Sequence, residues 1–155
     1  MIKILCIGKT KHTFYEDAEE FYVKRIQRFQ KMEYSVLDAV KVKPSYSPEE
    51  VKKLEQERIL KHIKPTDYVI LLDEKGKDVS SRDFAKSLER FQVQGAHVVF
   101  VIGGAFGFGR ELQSRANEKK ALGKGTMSHE LIRTVFLEQL YRAYSILHGH
   151  PYHND

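Results

Sequence analysis

Three short segments of this chain are apolar at almost every position: IKILCIG (2–8), YVILLD (68–73) and HVVFVIGG (97–104). Periodicity alone does not separate such runs from buried helix, so length and flanks decide. Each is short, two are rich in β-branched residues, and each gives way to glycine or an acidic, glycine-containing turn. A strand with no polar face must be covered on both sides, as in a parallel sheet flanked by helices. The intervening segments supply those helices.

Residues 14–29 carry Phe14, Ala18, Phe21, Tyr22, Ile26 and Phe29 at helical spacing, so these are expected to share a core-facing stripe. Residues 33–40 read as a second strand, and 41–47 (KVKPSYS) as a basic loop. Helix 47–63 opens with Ser47, Pro48 and Glu50, a capping box with proline at the first helical position. Residues 74–78 (EKGKD) read as a turn. Ser80 then caps helix 80–92, which Gly95 ends, and 110–116 forms a short helix. Residues 119–128 are irregular with room for a short fifth strand. The longest helix spans 129–149 and is stopped by Gly149 and Pro151. Its core stripe is expected at Leu131, Val135, Leu140, Tyr144 and Leu147. Phe136, Leu137 and Tyr141 widen that stripe, which points to packing against both the sheet and a second copy of the chain.

Strands alternating with helices, without repeat or linker, predict one α/β domain over residues 1–155. That length carries a real core, and 41% hydrophobic residues exclude a disordered chain. The net charge of +5, with its surplus in the first half, favours an anionic partner only weakly. The single Cys6 excludes an internal disulfide, and its apolar surroundings predict an inert buried thiol. No signal peptide or membrane-length apolar run is visible, so a soluble cytoplasmic protein is expected.

The glycines of VFVIGGAFGFG (99–109) raise the question of a phosphate loop. GKT at 8–10 lacks the first glycine of a Walker loop, and GFG at 107–109 is followed by Leu112 where a dinucleotide fingerprint needs glycine. What remains is a bare strand end, serving either a ligand approaching the backbone or a turn with positive φ. A second glycine-rich segment, 121–129 (ALGKGTMSH), lies before the last helix, and two such loops suit a clasp on one ligand. His129 and Arg133 at that helix's start face either ligand or solvent. The tail HGHPYHND (148–155) is either an exposed end or a lid carrying Tyr152 and His153. Its histidines lack a cysteine or acidic partner at ligand spacing, and no metal is expected. No GxSxG is present to support a serine hydrolase.

LLDEKGK (71–77), FVIGGAFG (100–107), TMSHELIRTVFLEQLYRAYSI (126–146) and HPYH (150–153) together resemble the RlmH family, ribosomal large subunit methyltransferases of the SPOUT superfamily. The resemblance runs through the whole chain in matching order. It implies a SPOUT fold: a mostly parallel sheet, helices on both faces, and a C-terminal trefoil knot. It also implies S-adenosyl-L-methionine as cofactor, a homodimer, and methylation of N3 of a pseudouridine in the helix 69 stem-loop of 23S rRNA on the assembled ribosome. Carried over by position, the cofactor-binding residues are Leu72, Gly104, Gly123, Lys124, Gly125, Thr126, Met127 and Ser128. The family often reads Ser-Leu-Ser where this chain has Ala121-Leu122-Gly123, a change that keeps main-chain contacts and thins the packing around adenine.

The acceptor nitrogen must lose a proton, and His129, Tyr152 and His153 are the candidate acceptors. Arg133 and Arg142 are candidates to contact phosphate or to stabilise the deprotonated imide. Two other readings stay open: a non-catalytic ribosome-binding or assembly factor, and a SPOUT enzyme acting on tRNA.

Overall fold

The computed structural model describes residues 1–155. Five parallel strands form one sheet: β1 (Ile2–Ile7), β2 (Met32–Leu37), β3 (Tyr68–Asp78), β4 (Val98–Ile102) and β5 (Glu118–Ala121), in the order β2-β1-β4-β3-β5. Five helices intervene: α1 (Thr13–Ile26), α2 (Pro48–Leu60), α3 (Ser81–Val93), α4 (Arg110–Arg115) and α5 (His129–Leu147). No helix is long and apolar enough to cross a membrane.

The period of two along each strand sorts the apolar runs into two cores. Ile4, Cys6, Ile70, Leu72, Phe100 and Ile102 face α1, α3 and α5. Leu5, Ile7, Val69, Leu71, Val99 and Val101 face α2 and α4, meeting Ile59 and Leu112. Strands without a polar face thus have helices on both sides, as the sequence requires. Cys6 is fully buried, and burial pushes its thiol up to about 11.

The capping signals are realised. Ser47 Oγ accepts from the Glu50 amide at 3.2 Å, with Glu50 returning the bond to Ser47. Ser80 accepts from the Asp83 amide at 3.1 Å. Ser128, which the sequence did not mark as a cap, accepts from the Leu131 amide at 3.2 Å. The start of α1 lacks a cap of its own. Instead Glu130 on α5 accepts from the backbone amide of Lys11, the amide of His12 (3.3 Å) and the His12 ring (2.7 Å). Those donors, the Lys11 amide foremost, hold the Glu130 carboxyl down at about 2.

Four expectations are corrected. EKGKD is not a turn: β3 continues through it, with a register shift between Leu72 and Lys77, and pairs again with Lys120 and Ala121 of β5. Gly76 permits this, since a Cβ there would lie 2.6 Å from the backbone of Lys119 and Lys120. Phe14 and Phe21 on α1, and Leu131 on α5, are exposed rather than core. Phe136, Leu137 and Tyr141 are already buried within the protomer, so they are not free for a second copy.

Arg133 is the fourth. Its side chain is 0% exposed and donates to the carbonyls of Ile7 and Gly8, both at 2.7 Å, and to Thr10 Oγ1 at 3.2 Å. It ties α5 to the end of β1 and faces no open cavity. A helical pattern cannot distinguish such an arginine from one turned to solvent.

Gly76→Ala is expected to lower stability by about 1–3 kcal/mol, because the backbone of β5 must move to admit one methyl group; urea unfolding measures it. Arg133→Leu is expected to cost about 2–3 kcal/mol by leaving two buried carbonyls unpaired. A thermal melt unchanged from wild type would show that the carbonyls find other partners.

Candidate active site

In open α/β sheets ligands bind beyond the carboxyl ends of the strands. Here the ends of β3, β4 and β5 open into a cavity of about 390 Å3. Leu72 and Ile102 form its apolar base. Residues 103–108 make one wall, and Leu122, Gly123, Gly125, Thr126 and Met127 the other, with His129 and Ile132 of α5 behind. Of the cofactor residues expected from the sequence, Leu72, Gly104, Gly123, Gly125, Thr126 and Met127 line this cavity. Lys124 and Ser128 do not, and Ser128 is engaged as the cap of α5.

The walls are fixed by contacts the sequence does not announce. Gly107 (φ 81°) and Gly123 (φ 107°) turn the two loops through left-handed backbone, and the Gly107 amide donates to the Gly104 carbonyl at 3.3 Å. The other glycines of the first loop serve close packing. A Cβ on Gly103 would meet the Phe108 ring at 2.9 Å, and one on Gly104 the Glu55 carboxylate at 2.7 Å. Gln56 packs against Gly109 and accepts from the Leu112 amide at 3.3 Å. Helix α2 therefore grips the glycine loop from outside. Thr126 Oγ1 donates to Glu74 Oε2 at 2.7 Å and ties the second loop to the extension of β3.

Cations from several elements gather at this cavity: Lys52 of α2, Lys75 of β3, and Lys119 and Lys120 of β5. None was singled out from the sequence, where they read as ordinary charged residues. His129 is the only histidine in the lining. Burial first, then the nearby charge of Arg133, lowers its pKa, so the imidazole is neutral at physiological pH and able to accept a proton.

In the tail Tyr152 and His153 are half-buried, while residues 148–151, Asn154 and Asp155 are exposed. Tyr152 packs edge-on against Tyr141 at 4.7 Å between centroids, and its hydroxyl donates to Glu138 Oε1 at 3.1 Å. Arg142 pairs with the same Glu138, lies 4.8 Å over the Tyr152 ring and reaches His153 Nδ1 at 3.3 Å. His153 also meets Asp155 at 3.0 Å, and Asp155 pairs with Arg82. Arg142, Tyr152 and His153 thus form one ordered cluster. It does not line the cavity. From His129 to Arg142 the helix rises about 20 Å, at ~1.5 Å per residue. The structure therefore brings His129 to the cofactor residues and keeps Arg142, Tyr152 and His153 away from them in the same protomer.

A second hollow of about 460 Å3 runs along α1 and β2, edged by Glu16, Glu19 and Glu20. Its buried carboxylate, Glu19, is already engaged by Thr10 (2.7 Å) and Tyr34 (2.9 Å).

Comparison with known proteins agrees with this geometry. Residues 1–153 match the family described as "Predicted SPOUT methyltransferase". The chain is 45% identical to the Ribosomal RNA large subunit methyltransferase H of Lactobacillus delbrueckii subsp. bulgaricus, covering 98% of each chain. It is 40% identical to the protein of that name from Bacteroides thetaiotaomicron, again over 98% of each. The proteins so named from Christiangramia forsetii stand at 39%, over 99% of this chain and 98% of the relative. Among solved structures, a methylase-family protein from Neisseria gonorrhoeae shares the fold at a TM-score of 0.53 and 14% identity, over 90% of this chain and 81% of that one. A cavity at the strand ends, walled by two glycine-rich loops, and a match from end to end lead to one conclusion: the chain belongs to the SPOUT methyltransferase family, enzymes that use a methyl donor of the S-adenosylmethionine type.

Proposed function

We propose that this enzyme transfers a methyl group from S-adenosylmethionine to N3 of a pseudouridine in the helix 69 stem-loop of 23S rRNA, on the assembled ribosome and as a homodimer. The observation that carries the reading is the cavity itself, which lies at the strand ends of a chain that matches, from end to end, relatives named for ribosomal RNA methylation. The residues present fit the donor. A cavity of about 390 Å3 lies within the range of small-ligand sites. Both walls present main-chain groups, and an apolar base of Leu72 and Ile102 suits a purine ring. The resemblance further implies a C-terminal trefoil knot whose loops bind the donor.

S-adenosylmethionine supplies an electrophilic methyl group on sulfonium. The chain's own part is to hold the reacting atoms in line and to take up a proton. The neutral His129 at the cavity is the acceptor for the N3 proton. Lys52, Lys75 and Lys119 at the same opening offer charge to RNA phosphates.

The tail cluster enters from a second copy. Arg142, Tyr152 and His153 lie too far from their own cavity to touch a base held there, yet they stand ready-made, Arg142 on α5 and the other two in the tail that follows it. In a homodimer each tail completes the partner's site, with Tyr152 offering a stacking face and Arg142 a charge for phosphate or imide. The surface for pairing is not Phe136, Leu137 and Tyr141, which are buried. Phe14 and Phe21 on one face of α1, with Leu131 at the start of α5, are the large apolar side chains left exposed there.

Labelled-methyl transfer tests the reaction: the assembled ribosome is expected to accept methyl, and free subunits and tRNA are not. Incorporation into tRNA alone would favour the other SPOUT reading, and ribosome binding without transfer the assembly-factor reading. A second experiment tests the shared site. Gly104→Val, which pushes Glu55 and its loop, is expected to silence the donor cavity, and deletion of residues 152–155 to silence the tail. Each variant alone should lose at least ten-fold in single-turnover rate, and mixed dimers should recover activity. Absence of recovery in verified mixed dimers would confine each site to one protomer.

A further inference from the structure

The cavity contains one charged group with no counterpart. Lys120 of β5 lines it and is only 8% exposed, yet its ammonium makes no hydrogen bond and no close ion pair. Its recorded neighbour is the face of the Phe84 ring, 4.2 Å away. A largely enclosed lysine without an acceptor gives up part of its hydration, and a cation–π contact offsets only part of that cost. Several polar groups nearby are already committed. Lys119 donates to Gln113 at 2.7 Å, Glu74 accepts from Thr126, and Asp73 accepts from the Lys75 amide at 3.0 Å. Arg133 is consumed by carbonyls.

We propose that Lys120 is the anion-binding group of the donor cavity and holds the carboxylate of the methionyl end of S-adenosylmethionine. The inference rests on the donor reading above and adds to it a specific contact. The carboxylate is the one anionic group of that molecule, and Lys120 is the one buried, unpaired cation in the lining. An RNA phosphodiester is a poorer match, since a group so enclosed is reached by a small ligand inside the walls rather than by a polymer outside them.

The electrostatics agree. Burial brings the Lys120 ammonium down to about 8; Glu118, Asp78 and Asp83 favour its charged form from a distance, and Lys77 opposes it. These residues lie on β5, β3 and α3, and α3 also supplies the Phe84 face. The lysine is therefore charged at neutral pH and loses its charge just above it. An incoming carboxylate would favour the charged form.

Isothermal calorimetry on the full chain tests this with two ligands, S-adenosylmethionine and its decarboxylated analogue. Wild type is expected to bind the analogue about ten- to a hundred-fold more weakly, the range of a charge-assisted hydrogen bond. Lys120→Met is expected to lose the same factor for S-adenosylmethionine and to bind the analogue as wild type does. The advantage of wild type over Lys120→Met should be full below about pH 8 and shrink above it. Comparing the two proteins cancels the titration of the ligand's own amino group. Equal wild-type affinity for both ligands would overturn the proposal without recourse to any variant. So would a Lys120→Met protein that keeps its affinity for S-adenosylmethionine and loses only affinity for ribosomes, which would make Lys120 a phosphate contact. Failure of wild type to bind either ligand would overturn the donor reading itself, and the lysine's assignment with it.

Discussion

The N-terminal turns of α5 are bound to the first strand by two buried charges. Arg133 takes the carbonyls that end β1, and Glu130 takes the amides that begin α1. Each satisfies backbone groups of a segment more than a hundred residues earlier in the chain. Unpaired, those groups would be costly to bury. With both in place α5 has one position against the sheet, and the cavity behind His129 has one shape. Charge is used here to fix geometry, which is why neither residue is available to a substrate.

The candidate cavity is set by the same economy of space. Three glycines, Gly103, Gly104 and Gly109, lack side chains because Phe108, Glu55 and Gln56 occupy the places those side chains would take. The loop is therefore held open by packing from α2. Gly76 does the corresponding work beneath the second wall, where β3 and β5 pass too close for a methyl group. Main-chain surfaces left bare in this way suit recognition of a ligand by backbone groups, and the strand that Gly76 admits is the one that carries Lys120.

Much of this was readable beforehand because the relevant signals are local. Apolar runs of six to eight residues pointed to β1, β3 and β4, and the serine caps placed the starts of α2 and α3. The misreadings are all cases where a distant segment decides. EKGKD has the composition of a turn, and only the backbone of β5 across from it makes it strand. Arg133 occupies a helical position indistinguishable from a solvated one until the end of β1 arrives beside it. Phe14 and Phe21 fit a core stripe by spacing, but α5 covers only part of α1. Lys120 sits in a lysine pair that reads as surface, and its burial comes from Phe84 on another helix. At the candidate site the glycines announced a bare backbone, whereas what it holds came from the family resemblance.

The edge of the sheet beyond Lys120 has a separate consequence. β5 is an outer strand of four residues, Glu-Lys-Lys-Ala. Short, charged edges, lysine above all, discourage another strand from adding by backbone hydrogen bonds. The sheet is thus blunted on the side where the cavity opens. Copies of the chain that meet there are discouraged from extending one sheet into the next, which makes the strand beside the candidate cavity a poor seed for aggregation.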